Sequence, residues 1–228
     1  MNERKQKMKF SYIFLLSLCL ILVCGKISAQ PGEPQSPFIS AHLGGFLTSH
    51  DNFDETYGSK FGFAYGGGFG LDLSSRMYLI GKATYFTKRG TIDIFRYEYH
   101  NDSGLTITKI GEGAASYKQW IFNLGLLYNF FLSEDYTLGL DAGLTYTVIH
   151  EEYSNTEGKV TSNMDGHGLL GGFGGLVIER NFQGSPFSIF FETQVNISRN
   201  DVQSLIGNYG GENFSLGVRY YFKERRTK

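Results

Sequence analysis

Few residues of this sequence have types and spacings that could support catalysis. Ser40 and His42 lie two residues apart in an alternating segment, which places both on one face of a predicted strand, with Asp72 on the next predicted strand. A serine, a histidine and a carboxylate are the side chains of a hydrolytic site. Two side chains on the same face of a strand are not for that reason within hydrogen-bond distance, which a nucleophile and its base require. We therefore expect no catalytic residues in this group.

A second group of candidate residues surrounds a predicted loop. His150 and His167 flank the loop, with Glu151, Glu152 and Asp165 beside them. Imidazoles and carboxylates can bind a divalent metal ion or act as acid and base in peptide hydrolysis. Polar residues are also the ordinary composition of a solvated loop. The sequence therefore predicts no metal site and no cofactor here.

Charged residues on the inner faces of predicted strands form a third group. They are Asp72, Lys82, Asp141, Glu192 and Arg219. Buried charges need partners, so we expect these side chains to form an interior polar network. If the last hairpin is symmetric about its loop, Glu192 and Arg219 lie opposite each other and form an ion pair. Such a network would plug the interior, and the alternative is an ion path or a gate.

One segment, residues 61–73 with the sequence FGFAYGGGFGLDL, identifies the elements that carry these side chains. Its large apolar residues occupy the odd positions, with the exception of 67, whereas glycine, alanine and aspartate occupy the even positions. A period of two is the side-chain repeat of a β-strand, and thirteen residues at about 3.3 Å each can cross a bilayer at a tilt. Glycine fits the crowded interior of a small barrel, so we expect the aromatic face to contact lipid.

The first 29 residues have the pattern of a secretory signal peptide: a basic start, an apolar core and a small-residue cleavage site before Gln30. Both cysteines lie in this segment, and a lipoprotein anchor on Cys24 is the alternative to cleavage at Gln30. Without the segment, 16 basic residues face 21 acidic ones, for a net charge of −5. Nucleic acid is therefore not an expected partner. The remaining chain has no apolar run near the roughly 18 residues that a membrane helix needs.

Seven further segments alternate like residues 61–73, although the glycine-rich segment 167–180 leaves its facing open. The predicted short connections are 74–76, 133–135 and 181–186, and the predicted long ones are 48–60, 89–116, 150–166 and 199–211. Alternating residues inside 89–116 suggest that this hairpin continues as a ribbon beyond the membrane. Short turns on one side and long loops on the other are typical of outer-membrane barrels, whose short turns face the periplasm.

The predicted fold class is therefore all-β, an eight-stranded antiparallel up-and-down transmembrane β-barrel. The barrel is expected over residues 38–222, after a short periplasmic lead-in at 30–37 and before a charged periplasmic tail at 223–228. Both ends of the barrel then lie in the periplasm, because an even number of strands returns the chain to the side on which it began.

The sequence resembles the OmpA-type or PorT-like outer-membrane β-barrel families of Gram-negative bacteria, in particular their Bacteroidetes form. The resemblance rests on Ser28-Ala29-Gln30, the glycine-aromatic strand 61–73, the eight-strand count and the closing Tyr220-Tyr221-Phe222. It implies that the terminal aromatic residues are read by the barrel-assembly machinery. It also implies contact with outer-membrane lipids and association with other envelope proteins.

The main hypothesis is a non-enzymatic outer-membrane protein that presents extracellular loops or serves an envelope or secretion complex. One alternative is an outer-membrane enzyme that acts on lipid A or peptides. The other alternative is a soluble secreted β-barrel that binds a hydrophobic ligand.

Overall fold

The computed structural model describes residues 36–50, 53–100, 104–155, 168–200 and 207–222. The predicted signal peptide, nearly all of the predicted lead-in and the charged tail lie outside these residues. The described residues contain no helix that is long and apolar enough to cross a membrane.

Eight antiparallel strands close into a ring, as the sequence predicts. The elements in chain order are β1 (Phe38–Thr48), α1 (Phe53–Tyr57), β2 (Phe61–Ser74), β3 (Met77–His100), β4 (Gly104–Leu132), β5 (Tyr136–Asn155), β6 (Gly168–Asn181), β7 (Phe187–Asn200), β8 (Gly207–Asn208) and β9 (Gly211–Tyr221). Strands β1 to β7 and β9 form the ring, and the two-residue β8 pairs with the end of β7. Each ring strand pairs with its neighbours in the chain, and β1 pairs with β9.

Both ends of the ring lie on the same side as its three short turns. Phe38 at the start of β1 is opposite Tyr221 at the end of β9, and the amide of Phe222 donates a hydrogen bond of 3.1 Å to the carbonyl of Pro37. The short connections between β2 and β3, β4 and β5, and β6 and β7 lie on this side. We call this side the short-turn end and the opposite side the long-loop end.

The predicted long loop 89–116 is mostly strand. β3 and β4 stay paired from Met77↔Tyr128 to His100↔Gly104, with an irregularity between Ile94 and Phe95. β2 pairs with β3 only as far as Ala64↔Phe86. The part of this hairpin at residues 89–116, which we call the ribbon, therefore extends past the ring, as the alternation inside it suggests.

The predicted polar loop 48–60 contains the helix α1, which the sequence did not lead us to expect. Phe53 and Tyr57 lie four residues apart, so they share one helix face, and both are buried. Asp54 and Glu55 in the first turn suit a helix N-terminus. The spacing of the two aromatic residues was the signal for this helix.

The side chains of the ring strands face inward and outward in the predicted alternation, except where the strand pairing shifts register. The alternation of β4 predicts Phe130 on the outer face, but a register shift between Asn129 and Phe131 brings Phe131 outside, opposite Leu138. The extra residue of such a bulge reverses the facing of the residues after it. Phe131 therefore continues the outer face past this shift, and Phe130 is half-buried.

Glycines on the inner face of β2 make room for large inward side chains. A Cβ at Gly62 would meet the ring of Phe86, and one at Gly66 would meet the ring of His42. Gly217 on β9 lies beneath the ring of Phe190 in the same way. The glycine-rich face predicted for 61–73 is therefore the inner face, and it leaves space for side chains from other strands.

Candidate functional site

The outer surface of the ring is apolar and the interior is polar, which reverses the usual arrangement of a water-soluble protein. Outward side chains form a continuous outer belt around the ring. Its exposed members include Ile39, Leu43, Phe63, Phe69, Leu71, Leu124, Leu126, Leu144, Leu170, Leu176, Ile178, Ile189, Phe191, Val195, Ile197, Phe214, Leu216 and Val218. Apolar patches far smaller than this mark interaction sites on soluble proteins. The belt is therefore an interaction surface.

Aromatic side chains border the outer belt on both sides. Toward the long-loop end, the ring of Tyr85 lies 5.4 Å from that of Tyr65 and 4.7 Å from that of Trp120. Toward the short-turn end, Phe187 and Tyr220 have ring centroids 5.1 Å apart. Aromatic girdles at both edges of an apolar band are a feature of barrels in bilayers.

Lys82 is the centre of one group of interior charges. Its Nζ donates to Asp141 Oδ2 at 2.5 Å, to Gln194 Oε1 at 2.7 Å and to a carboxylate oxygen of Glu192. Asp141, Glu192 and Gln194 are all buried. An ammonium group has three donors, and here each has an oxygen partner, so the hydrogen-bonding capacity of Lys82 is satisfied within this group.

Glu179 is the centre of a second group. Arg219 Nη1 donates to Glu179 Oε2 at 2.5 Å, and the hydroxyls of Ser188 and Tyr221 both donate to Glu179 Oε1 at 2.5 Å. These four side chains are buried. The carboxylate therefore keeps three donors in an interior that excludes bulk water.

The predicted ion pair between Glu192 and Arg219 is wrong. Arg219 is opposite Ser188, and Glu192 is opposite Ser215, so the last hairpin is not symmetric in the way that prediction assumed. Arg219 reaches across to Glu179 instead, on the strand whose facing the sequence left open. Each of the two predicted partners thus has another counter-ion.

The structure brings four of the five predicted interior charges into these groups. Asp72 is the exception: it lies opposite Tyr78, beside the turn that ends β2, and is half-buried. Lys82 is opposite Gly68, which lies four residues before Asp72 on β2. At 3.3 Å per residue this separation is about 13 Å. Asp72 is therefore at the rim of the short-turn end and outside both charged groups.

Two apolar layers fill the interior around these charges, and the Arg219 guanidinium lies 4.6 Å from the ring centroids of Phe38 and Phe190. The lower apolar layer, toward the short-turn end, is Phe38, Tyr78, Ile80, Leu127, Phe173, Val177, Phe190 and Tyr221. The upper apolar layer, toward the long-loop end, is Phe46, Phe53, Tyr57, Ala64, Phe86, Ala115, Tyr117 and Ile121. Two of its members, Phe53 and Tyr57, come from α1, so this helix caps the ring. An eight-stranded barrel is just wide enough to be filled in this way.

His42 is buried in the interior of the ring. Its Nε2 lies 3.1 Å from the hydroxyl of Thr84. Ser40 is opposite Gly68 and Arg219, one inward position away from His42, and Asp72 lies beyond the end of the β1–β2 pairing. The described contacts therefore join neither Ser40 nor Asp72 to His42.

The second candidate group is divided by the structure. Lys118 lies opposite His150 and contacts Glu152 at 3.4 Å, whereas Glu151 accepts a hydrogen bond of 2.5 Å from the hydroxyl of Tyr57. His167 and Asp165 lie outside the described residues. Within the described ranges, no group of three or more His, Cys, Asp or Glu side chains could hold a metal ion.

Tyrosines around Glu151 form the interior surface at the long-loop end. Burial first, and the Glu151 carboxylate second, raise the pKa of Tyr57, Tyr117 and Tyr153 well above the ordinary value. These residues lie past the aromatic border of the outer belt, and Tyr57 belongs to α1. Ionising any of them would place a second negative charge beside Glu151 in a partly dry site.

Alkaline pH should therefore release α1 from the ring. The packed state keeps its full stability below about pH 10, where free tyrosine is neutral. Above that pH the tyrosines of the released state ionise and those of the packed state do not, so the packing weakens as pH rises. A pH titration of the ¹³Cζ signals of labelled tyrosines checks this. Tyr57→Phe should reduce the alkaline loss, and ionisation of Tyr57 near pH 10 with α1 still packed would contradict it.

Solved structures share this fold. The Neisserial surface protein A matches with a TM-score of 0.53 and 13% identity over 82% of this chain and 97% of its own. The outer-membrane protein OprG of Pseudomonas aeruginosa matches with a TM-score of 0.50 and 10% identity over 85% of this chain and 99% of its own. No family model and no curated protein matches the sequence. The inverted polarity, the closed ring and these likenesses together show that the chain has the fold of the eight-stranded outer-membrane β-barrels.

Proposed function

We propose that this chain is an integral outer-membrane protein of a Gram-negative bacterium that has no catalytic role. In this proposal the ring is anchored in lipid and carries the ribbon outside the cell, where it is displayed or serves an envelope or secretion complex. The apolar outer belt is the observation that carries the proposal. In water such a belt is unfavourable by about 25 cal/mol for each Å².

The height of the belt supports a bilayer as its environment. On β5 the outward positions run from Tyr136 to Tyr146, which is ten steps along the strand. At about 3.3 Å per step and a tilt of about 40°, this spans roughly 25 Å. That is the apolar band height of outer-membrane barrels, so the belt fits the hydrocarbon core without a gap.

The asymmetry of the connections supports one orientation. Short turns face the periplasm in outer-membrane barrels, and both ends of this ring lie with its short turns. We therefore place both chain termini in the periplasm and the ribbon and α1 on the extracellular side.

The glycine-aromatic strand 61–73 and the closing aromatic residues favour an OmpA-type or PorT-like protein within this fold. We propose three partners: outer-membrane lipids at the belt, the barrel-assembly machinery at Tyr220-Tyr221-Phe222, and other envelope proteins at the ribbon. Nucleic acid is not among them, since the mature chain is expected to carry a net charge of −5.

The filled interior argues against the two alternative functions. A barrel that carries a hydrophobic ligand needs an apolar cavity, whereas this interior is filled by charged groups and the apolar side chains packed around them. A hydrolase needs its nucleophile in contact with a base, and His42 contacts Thr84.

Cysteine labelling on intact cells tests the proposal. Thr91→Cys in the ribbon should react with a membrane-impermeant maleimide, and Ser133→Cys in a short turn should react only after the outer membrane is permeabilised. Both parent residues are exposed, so accessibility of the side chain does not separate them. Leu144→Cys in the belt should react in neither case.

Two other outcomes would contradict this proposal. Labelling of Ser133→Cys alone on intact cells would reverse the orientation and keep the membrane assignment. Equal labelling of all three variants in a soluble fraction would exclude the membrane assignment itself.

A further inference from the structure

Several buried polar side-chain atoms have no protein hydrogen-bond partner among the described residues, and two of them belong to the interior charged groups: Oδ1 of Asp141 and Nε of Arg219. The residues are only 3% and 5% exposed, so bulk water does not reach them. Asp141 uses its other oxygen for Lys82, and Arg219 uses Nη1 for Glu179. Each residue therefore has one polar atom left over, and leaving such an atom unsatisfied is costly.

Both residues line the same small cavity. Its volume is about 10 Å³, and Ser40, Lys82 and Glu192 also contribute to its wall. A cavity holds a water molecule when its volume by this measure is roughly 10 to 15 Å³ and it offers two to four polar partners. The cavity meets both conditions for one molecule.

The chemistry of the wall selects water over other small occupants. Arg219 Nε carries a hydrogen and can only donate, whereas Asp141 Oδ1 accepts when the carboxylate is ionised. Water can accept from the first and donate to the second. The wall carries two cationic side chains, Lys82 and Arg219, and two anionic ones, Asp141 and Glu192, so it has no net negative charge to hold a metal cation. An organic molecule is too large for the volume.

We propose that one water molecule occupies this cavity, accepts a hydrogen bond from Arg219 Nε and donates one to Asp141 Oδ1. It joins the Glu179–Arg219 group to the Lys82 group, so that the interior charges form one network. The network then links β3, β5, β6, β7 and β9 across the ring. Its second hydrogen is free to bond to another oxygen of the wall, such as that of Ser40 or Glu192.

Nuclear magnetic resonance of the refolded full-length barrel tests the proposal directly. The Arg219 Nε–H signal of ¹⁵N-labelled protein should show cross-relaxation with water, with NOE and ROE of opposite sign. That sign pattern marks a long-lived bound water and excludes simple proton exchange, which gives equal signs. The wild-type measurement needs no variant that has to fold.

Variants of Ser40 provide the matched comparison. Ser40→Val adds bulk to the wall and should remove the water cross-peak and lower the melting temperature. Ser40→Ala leaves the space open and should keep the cross-peak. Ser40→Val that folds and retains an unchanged cross-peak would place the water elsewhere and overturn the proposal.

Two other results would also overturn it. A scalar coupling across a direct hydrogen bond between Arg219 and Asp141, without a water signal, would mean that the side chains close the cavity themselves. A shift of the Arg219 Nε–H signal that follows the concentration of sodium or potassium, and is absent with choline, would identify a monovalent cation instead.

Discussion

Leu124→Arg should prevent stable folding of the barrel in lipid, whereas Ile107→Arg should leave the barrel intact. Both residues belong to β4 and both are 55% exposed, but Leu124 lies midway down the outer belt and Ile107 lies in the ribbon. Arginine at the middle of the bilayer costs about 2 to 4 kcal/mol, and at an aqueous position it costs almost nothing. Position along one strand is thus the only large difference between the two changes.

The free energy of unfolding in urea, measured with the protein refolded into phospholipid vesicles, checks this pair. The gel mobility of unheated samples shows the folded fraction independently. Equal tolerance of both substitutions would contradict a lipid-facing belt and favour a soluble barrel. Equal damage from both would mean that the ribbon is also buried against a partner or lipid.

Removal of either Glu179 or Arg219 should destabilise the barrel more than removal of both. Glu179→Gln leaves the guanidinium without its counter-ion, and Arg219→Met leaves the carboxylate with neutral donors only. Breaking a buried pair from one side typically costs about 3 to 5 kcal/mol, and replacing both members costs much less. A double-mutant cycle on the free energy of unfolding measures the difference as a coupling energy.

The control pair is Glu192 and Arg219, because these residues belong to different ion pairs. Their coupling energy should be smaller than that of Glu179 and Arg219. A larger value would restore the symmetric last hairpin that the sequence suggested. Planar-bilayer conductance should not change in any of these variants; single variants that are thermally silent and conduct ions would identify a gate.

The fold could be predicted because the side-chain repeat of a strand is local information. In residues 61–73 each position reports its own face, and no knowledge of the neighbouring strand is needed. The interior charges Lys82, Asp141, Glu192 and Arg219 were found by this parity alone. In the structure these four side chains lie inside the ring, whereas Asp72 sits at the rim.

The partners of these charges could not be predicted, because pairing depends on register between strands. The sequence of the loop after β7 does not show the register between β7 and β9, which places Arg219 opposite Ser188. The many glycines of β6 left the facing of Glu179 unpredicted. In the structure the odd-numbered residues Leu169, Phe173, Val177 and Glu179 all face inward. The residue pattern of a strand shows which side chains share a face. Which side chains contact each other across the ring is seen only in the structure.

Seven of the eight strand pairings in the ring join strands that follow each other in the chain. The eighth pairing, the β1–β9 seam, joins residues near 38 to residues near 221. Neighbouring strands can pair as hairpins as soon as both have been made, at a small entropic cost. The β1–β9 seam requires a loop of nearly the whole chain to close, and the cost of closure grows with loop length. Until β9 is in place, the sheet has two open edges whose free amides and carbonyls can pair with another chain. Pairing of the eleven residues of β9 with β1 is therefore the assembly step that converts an aggregation-prone sheet into a folded barrel.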